Sequence, residues 1–163
     1  MAYFPTEAWI VPQAIADVST TQKLPLGTII SATDPTYGAA KFIYCAGGTN
    51  VAEGSWVLLN PDSGAVTALA ANDKGAVGVA MSAIDATTDY GWVCIYGKVS
   101  AKCLTSFADN GRVFCTASVG YVDDTSVAGD RLNIAKGAST STARRADFEI
   151  HYPYVDDATS AGG

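Results

Sequence analysis

A single histidine, His151, limits the acid–base chemistry that this chain could perform. A Ser-His-Asp or Cys-His site would have to use it, because no other unperturbed side chain titrates near neutral pH. No serine elbow accompanies it, and it lies among alternating residues, Phe148 to Tyr152, on the polar side of a predicted last strand. We therefore expect an exposed strand histidine and no enzyme; a hydrolase using His151 with a cysteine or serine is the alternative.

The residue spacings that are typical of metal-binding and nucleotide-binding motifs are absent from this sequence. Asp123-Asp124 and the later Asp130 do not follow the order of a calcium loop, and no Gly-Lys-Ser/Thr follows Gly47-Gly48. Four cysteines lie in or beside apolar strands without a Cys-x-x-Cys pair: Cys45, Cys94, Cys103 and Cys115. The sequence predicts no metal site, no cofactor and no catalytic residue, and it favours reduced thiols used as small core residues.

Composition indicates a protein that hides part of its surface in an assembly. Only 16% of the 163 residues are charged and 48% are hydrophobic, against a usual charged share of about 25%. The net charge of −6 and the lone basic pair Arg144-Arg145 argue against nucleic acid as a partner. No apolar run approaches the roughly 20 residues of a membrane span. The first residues lack the basic region of a signal peptide, so we expect synthesis in a cytoplasm and no membrane partner.

Turn residues divide the chain into short strands. Asp34-Pro35-Thr36-Tyr37-Gly38 and Asn60-Pro61-Asp62-Ser63-Gly64 are the strongest turn signals, because proline presets φ and glycine accepts the reversal. Nine strands are predicted near Thr28–Ala32, Lys41–Ala46, Trp56–Leu59, Val66–Ala68, Ala76–Ile84, Gly91–Ala101, Arg112–Thr116, Arg131–Ala135 and Asp147–Tyr154. The fold class predicted is all-β, an antiparallel β-sandwich or barrel with an irregular N-terminal arm and little helix.

Three parts are expected along the chain: an N-terminal arm over residues 1–26, a single β domain over 27–155 and a flexible tail over 156–163. The arm is interrupted by prolines yet too apolar for a solvated tail. It either wraps over its own core or extends onto a neighbouring molecule. Its large apolar residues are Tyr3, Phe4, Trp9 and Ile10.

A hairpin over Gly75–Val99 is predicted to organise the domain. Its second strand is apolar on both faces, with Trp92, Cys94 and Tyr96 on one side and Val93, Ile95 and Val99 on the other. Such a strand is buried on both sides. We expect the domain core on one side and either core or a neighbouring subunit on the other, which makes Trp92, Cys94 and Tyr96 candidates for core or subunit interface.

Several turns and strand ends together resemble one group of proteins. The residues that carry the resemblance are Leu26-Gly27-Thr28, Asp34–Gly38 leading into Lys41-Phe42-Ile43-Tyr44, Glu53-Gly54-Ser55-Trp56-Val57, Gly75–Ala80, Tyr90-Gly91-Trp92-Val93 with Tyr96-Gly97, and the closing Pro153-Tyr154-Val155. In these segments the chain resembles the small capsid decoration, or cement, proteins of tailed bacteriophages.

That resemblance implies a structural virion protein without catalysis. It would bind the outside of an assembled capsid, often as a homotrimer, and brace the shell against internal DNA pressure. The expected partners are further copies of itself and the major capsid protein. The arm residues Tyr3, Phe4, Trp9 and Ile10 become the candidates for capsid contact. Two alternatives stay open: a glycan- or receptor-binding virion module, such as a tail fibre or lectin-like domain, and a tail-tube subunit.

Overall fold

The chain folds into antiparallel strands, in agreement with the all-β prediction. The computed structural model describes residues 3–6 and 11–158, and these residues contain no helix. The eleven strands are β1 (Phe4–Pro5), β2 (Ile29–Asp34), β3 (Gly38–Ala46), β4 (Trp56–Leu59), β5 (Val66–Ala68), β6 (Gly75–Ala80), β7 (Tyr90–Lys102), β8 (Arg112–Cys115), β9 (Val122–Asp123), β10 (Arg131–Gly137) and β11 (Arg145–Val155). Each of the nine predicted strands is present. The two-residue strands β1 and β9 were not predicted.

One open sheet, wrapped around a core, contains all the strands. Its order is β1-β2-β3-β7-β6-β11-β10-β8-β9, with β4 paired to β6 and β5 to β4. The long strand β7 pairs with β3 on one side and, on the other, first with β6 and then with β11. The result is a β-sandwich-like fold built about β7, the strand that the sequence placed at the centre of the domain.

The main core lies inside the wrapped sheet and is rich in aromatic rings. Phe148 makes edge contacts with Trp56 at 5.1 Å and with Phe107 at 5.0 Å, measured between ring centroids. Tyr44 makes a similar contact with Trp92 at 5.0 Å. All five rings are fully buried. Edge-to-face pairs of this kind stabilise a core beyond the area they bury, by about 1 kcal/mol each.

A second, smaller core covers the other side of the first half of β7. Val93 and Ile95 pack there with Cys45, Val57 and Ile84. Both sides of this half-strand are therefore buried within one chain. The burial of Trp92 and Cys94 requires no neighbouring subunit.

A β-bulge interrupts the alternation of β7. Phe42 lies opposite Cys94, but the preceding Lys41 lies opposite Tyr96, so Ile95 is an extra residue on β7. The side-chain parity therefore reverses. Val99 joins the main core with Trp92 and Cys94, whereas Tyr96 is half-buried on the outside. The alternation predicted from the sequence was wrong at both Tyr96 and Val99.

The segment from residue 11 to residue 26 lies across the core of its own chain. Ile15 is buried in the main core, and Ser19 forms an isolated antiparallel bridge with Tyr90 at the start of β7. At the other terminus, Asp157 forms an ion pair with Lys74 at 3.5 Å. The described residues include no helix long and apolar enough to cross a membrane.

Candidate interaction surface

The surface with the most unusual chemistry is the side of β2, β3, β4, β7, β11, β10 and β8 that points away from the main core, here called the outer face. The strand register determines which residues lie on this face, because residues directly opposite each other on neighbouring strands point to the same side of the sheet. Tyr96 lies between Lys41 and His151, and Lys102 lies opposite Arg145. A further row of directly paired residues crosses four strands: Lys98, Glu149, Lys136 and Arg112.

One half of the outer face is basic. The four rows of paired residues that pass through Tyr96, Lys98, Ser100 and Lys102 of β7 contain six cations, Lys41, Lys98, Lys102, Arg112, Lys136 and Arg145. They contain two carboxylates, Asp147 and Glu149, so these rows have a formal charge of +4. The whole chain has a charge of −6, which leaves −10 for the other residues. This half of the face therefore has the opposite sign to the rest of the molecule.

Ion pairs neutralise only part of the basic half. Lys98 lies 3.4 Å from Asp147, and Arg145 forms a two-pronged pair with Glu53 at 2.8 Å and 2.9 Å. Lys102 lies over the ring of Tyr121 at 5.3 Å. Lys41 and Arg112 stay exposed, and neither has an ion-pair partner within 4 Å among the described residues. Such cations favour a partner with negative charge.

The other half of the outer face is apolar. Ile29 is 52% exposed, Tyr152 49% and Tyr154 43%. They line a groove of about 230 Å³ together with Ile43 and Leu59. The groove continues into a larger cavity of about 680 Å³, bordered by the turn from Asn60 to Ala65. A connected exposed apolar patch of this kind is typical of an interaction site.

Aromatic rings mark the border between the two halves. The rings of Tyr96 and His151 stack at 4.8 Å with an interplanar angle of 27°, and Tyr96 lies 5.7 Å from Tyr152. The Lys41 Nζ lies 6.0 Å from the Tyr152 ring. Flat rings held on a rigid sheet suit a contact surface because little entropy is lost when a partner covers them.

His151 has no nucleophile beside it in the part of the chain that the structure describes. Its Nε2 lies 3.3 Å from Glu149 Oε1, and its side chain is 45% exposed. Two grooves include it, one of about 400 Å³ with Tyr37, Tyr96 and Lys98, and one of about 290 Å³ with Arg131 and Ile134. Neither lining includes a serine or a cysteine. The geometry gives His151 a polar contact with Glu149 and a stacking contact with Tyr96 on the outer face.

The cysteines are buried and unpaired within residues 3–6 and 11–158. Burial raises the pKa of Cys45, Cys94 and Cys115 to about 12 and that of Cys103 to about 11. The thiols therefore stay protonated at neutral pH and are poor nucleophiles.

Carboxylates do not gather into a metal site in the described residues, where no group of three or more His, Cys, Asp or Glu side chains could hold an ion. Asp124 Oδ2 accepts a hydrogen bond from the Ala108 N–H at 2.9 Å, and Asp130 Oδ1 accepts one from the Asn72 N–H at 2.7 Å. Both carboxylates hold turns.

The arm residues have different positions. Tyr3 is buried, with its ring edge-on to Phe42 at 4.8 Å and its hydroxyl donating to the Lys98 carbonyl at 2.6 Å. Phe4 is 59% exposed and lies opposite Thr33 on the outer side of β2. Trp9 and Ile10 lie outside the described residues. The Tyr3 side chain packs inside its own chain in this structure and is not exposed to contact another molecule. The exposed Phe4 side chain is available for such a contact.

The exposed residues Ile29, Tyr152 and Tyr154 were not found by sequence reasoning. The alternation of Phe148, Ile150 and Tyr152 placed Tyr152 on the inner side of the last strand. Tyr152 has a positive φ of 53°, at the point where β11 leaves β7 and pairs with β6. This irregularity turns its ring outward, and a period-two pattern contains no signal for it.

The comparisons with known proteins gave no match, whether to a family model, to a curated protein or to a solved structure.

Proposed function

We propose that this protein is a non-catalytic structural subunit that binds the outside of a tailed-bacteriophage capsid and stabilises the shell. The observation that supports it most is the exposed apolar half of the outer face, formed by Ile29, Ile43, Leu59, Tyr152 and Tyr154. A surface of this kind on a protein with only 16% charged residues favours a permanent place in an assembly. The phage class comes from the resemblance in the turns and strand ends.

The fold suits a bracing role. The outer face belongs to a single wrapped sheet over a densely aromatic core, so it can be covered by a partner without being reorganised. Aromatic anchors, with Tyr152 and Tyr154 on the face and Phe4 at its edge, are the side chains that supply most binding energy in protein interfaces. Binding that occurs only on the intact shell stabilises the shell by mass action. The proposed partners are the major capsid protein and further copies of this chain.

Addition to purified shells tests the proposal. Protein is mixed with capsids that lack it, the particles are sedimented, and their surfaces are imaged. We expect wild-type protein to occupy regular positions on the capsid exterior and to raise the temperature at which DNA is released. Ile29→Ser with Tyr154→Ser should weaken binding at least about tenfold, since two anchors are lost.

A matched control changes an exposed apolar residue elsewhere. Val119 is 46% exposed in the loop before Tyr121, and Val119→Ser should bind shells as the wild type does. Failure of the wild-type protein to bind any capsid, or labelling confined to tails, would remove the proposal; the second outcome would instead support a tail-tube subunit.

A glycan- or receptor-binding virion module is the second candidate. The stacked Tyr96 and His151 rings lie beside the Glu149 carboxylate in the groove of about 400 Å³. A sugar could stack on these aromatic rings and donate hydrogen bonds from its hydroxyl groups to the neighbouring carboxylate. A glycan array is the direct test: saturable binding that is lost in Tyr96→Ala would favour this candidate.

A further inference from the structure

Strand β10 holds one aliphatic residue in an unfavourable conformation. Ile134 has a φ of 59°, in the left-handed region that a β-branched residue rarely adopts. Alternation along β10 would place it on the inner side with the buried Leu132, but the strand register shifts between Asn133 and Ala135. The Ile134 side chain is instead 59% exposed. The chain thus presents an aliphatic side chain to solvent at the expense of backbone strain.

A second unfavourable feature lies two residues further along the same strand. Lys136 lies directly opposite Arg112 of β8, and both side chains are exposed. Like charges in directly opposite positions destabilise a sheet. Lys136 lies opposite Glu149 on its other side, but the Glu149 carboxylate contacts His151 at 3.3 Å. In the described part of the chain neither cation has a carboxylate within 4 Å. The pair therefore favours a negative group from another molecule.

Both features border one groove on the outer face, here called the β10 groove. Its volume is about 290 Å³, and its lining includes Arg131, Ile134 and Lys136 of β10 with Glu149 and His151 of β11. It shares no lining residue with the groove in the apolar half of the outer face, so it is a separate surface. Features that oppose the local rules of folding are expected where a protein keeps them for its function.

The dimensions of the β10 groove suit an extended peptide. Neighbouring strands lie about 4.8 Å apart, so the row from Lys98 through Lys136 to Arg112, which crosses four strands, extends about 14 Å. Side chains on one face of an extended peptide repeat about every 7 Å. An acidic, an aliphatic and a second acidic side chain on one face therefore cover the same length.

The chemistry of the groove requires both kinds of side chain. Carboxylates would pair with Lys136 and Arg112, and an aliphatic group would cover Ile134. A polyanion without aliphatic groups, such as an acidic polysaccharide, would leave Ile134 in water. An uncharged apolar segment would leave the two cations unpaired.

We propose that the β10 groove binds an extended segment of another protein, in which acidic and aliphatic side chains lie on one face. A carboxylate placed between Lys136 and Arg112 removes their repulsion, and contact with Ile134 buries the side chain that the strained backbone exposes. The inference goes beyond capsid binding, because it assigns a second interaction surface to residues outside the apolar half of the outer face.

Synthetic peptides test the groove. The probe is a fluorescein-labelled peptide, Gly-Asp-Ser-Leu-Ser-Asp-Gly, whose aspartates and leucine lie on one face when it is extended. Two comparison peptides replace the leucine with serine or both aspartates with asparagine. Fluorescence anisotropy should show saturable binding of the probe that weakens at high salt. Either comparison peptide should bind at least about fivefold more weakly.

Variants assign the binding to the groove. Lys136→Glu should weaken binding of the probe at least about fivefold, whereas the exposed control Lys23→Glu should change it less than about twofold. Ile134→Asn removes the aliphatic contact but suits the positive φ, where asparagine is enriched. It should weaken binding about fivefold while the melting temperature stays the same or rises. The matched control Val18→Asn changes a side chain that is 48% exposed elsewhere and should bind as the wild type does.

Three results would overturn the inference: no saturable binding of the probe, equal binding of the three peptides, or full binding by both Lys136→Glu and Ile134→Asn. Polygalacturonate is tested in parallel, and if it binds while the probe does not, the surface takes polysaccharides and the peptide proposal is wrong. Capsid binding is measured separately. Peptide binding without capsid binding would contradict only the proposed function.

Discussion

The indole Nε1–H of Trp92 donates a hydrogen bond to the main-chain oxygen of Gln13 at 3.0 Å. The Gln13 side chain extends the link, since its Nε2 donates to the carbonyls of Asp17 and Tyr90 and its Oε1 accepts from the Tyr44 hydroxyl, at 2.8–2.9 Å. Gln13 is 5% exposed. The chain from residue 13 to residue 19 is thus fixed to the central strand by a buried polar network.

Removal of the Gln13 amide should therefore destabilise the whole domain. Gln13→Ala leaves the Tyr44 hydroxyl and two carbonyls without this partner, and we expect a loss of about 2–4 kcal/mol in the free energy of unfolding. Guanidinium denaturation followed by tryptophan fluorescence measures it. Gln22→Ala removes one exposed hydrogen bond to the Leu24 carbonyl and should cost less than about 0.5 kcal/mol. Equal midpoints for the two variants would show that the network contributes little.

Gly97 follows the bulge in β7, two residues after Ile95. Its φ is +110°, and a Cβ there would lie 2.7 Å from the Ala39 carbonyl oxygen and 2.8 Å from the Ala40 Cβ. Gly97→Ala should cost about 3 kcal/mol or more, because backbone strain and a contact with β3 add together.

Gly27 separates the two causes. It has a φ of +86°, but a Cβ added there would meet no described atom within 4 Å. Gly27→Ala should therefore cost only the strain, about 1 kcal/mol. Thermal denaturation of both variants provides the comparison. A cost for Gly27→Ala as large as that for Gly97→Ala would mean that crowding against β3 is unimportant.

The strands could be predicted from the sequence because their boundaries are set locally. Asp34 Oδ1 accepts hydrogen bonds from the N–H groups of Thr36 and Tyr37, at 2.7 and 2.8 Å. The bonds that stabilise this turn are therefore formed between residues of the turn itself. The same holds for Asn60, whose Oδ1 accepts from Asp62 and Ser63. Hydrogen bonds between residues two or three positions apart form without a partner from elsewhere in the chain.

The outer face could not be predicted, because it results from pairings between distant segments. The bulge at Ile95 arises where β7 must fit β3, and the outward turn of Tyr152 arises where β11 changes partner from β7 to β6. Both break the period of two on which the sequence prediction depended. The strand β1 has only two residues and exists through its pairing with β2.

The thiols should be unreactive until the protein unfolds. Burial raises the pKa of Cys94 to about 12 and that of Cys103 to about 11, so thiolate is scarce at pH 8, where an exposed cysteine reacts readily. We expect no labelling by an aromatic disulfide reagent in native buffer and labelling of all four cysteines in guanidinium. Rapid modification of one thiol in native protein would indicate local opening around that residue.

The ion pair between Glu53 and Arg145 joins the loop before β4 to the start of β11. Its contribution to the free energy of unfolding should change with pH in the acid range. Hydrogen bonds from Arg145 hold the pKa of Glu53 below its ordinary value of 4.5. A carboxyl whose pKa is lowered by folding stabilises the protein above the unfolded value, and that contribution is lost as pH falls through the folded value. Both side chains are partly exposed, so Glu53→Gln should cost less than about 1 kcal/mol at pH 7. Urea denaturation at stepped pH should show the gap between wild type and Glu53→Gln constant above pH ~5 and shrinking below it. A gap that widens as pH falls would place the stabilising charge on a group other than Glu53.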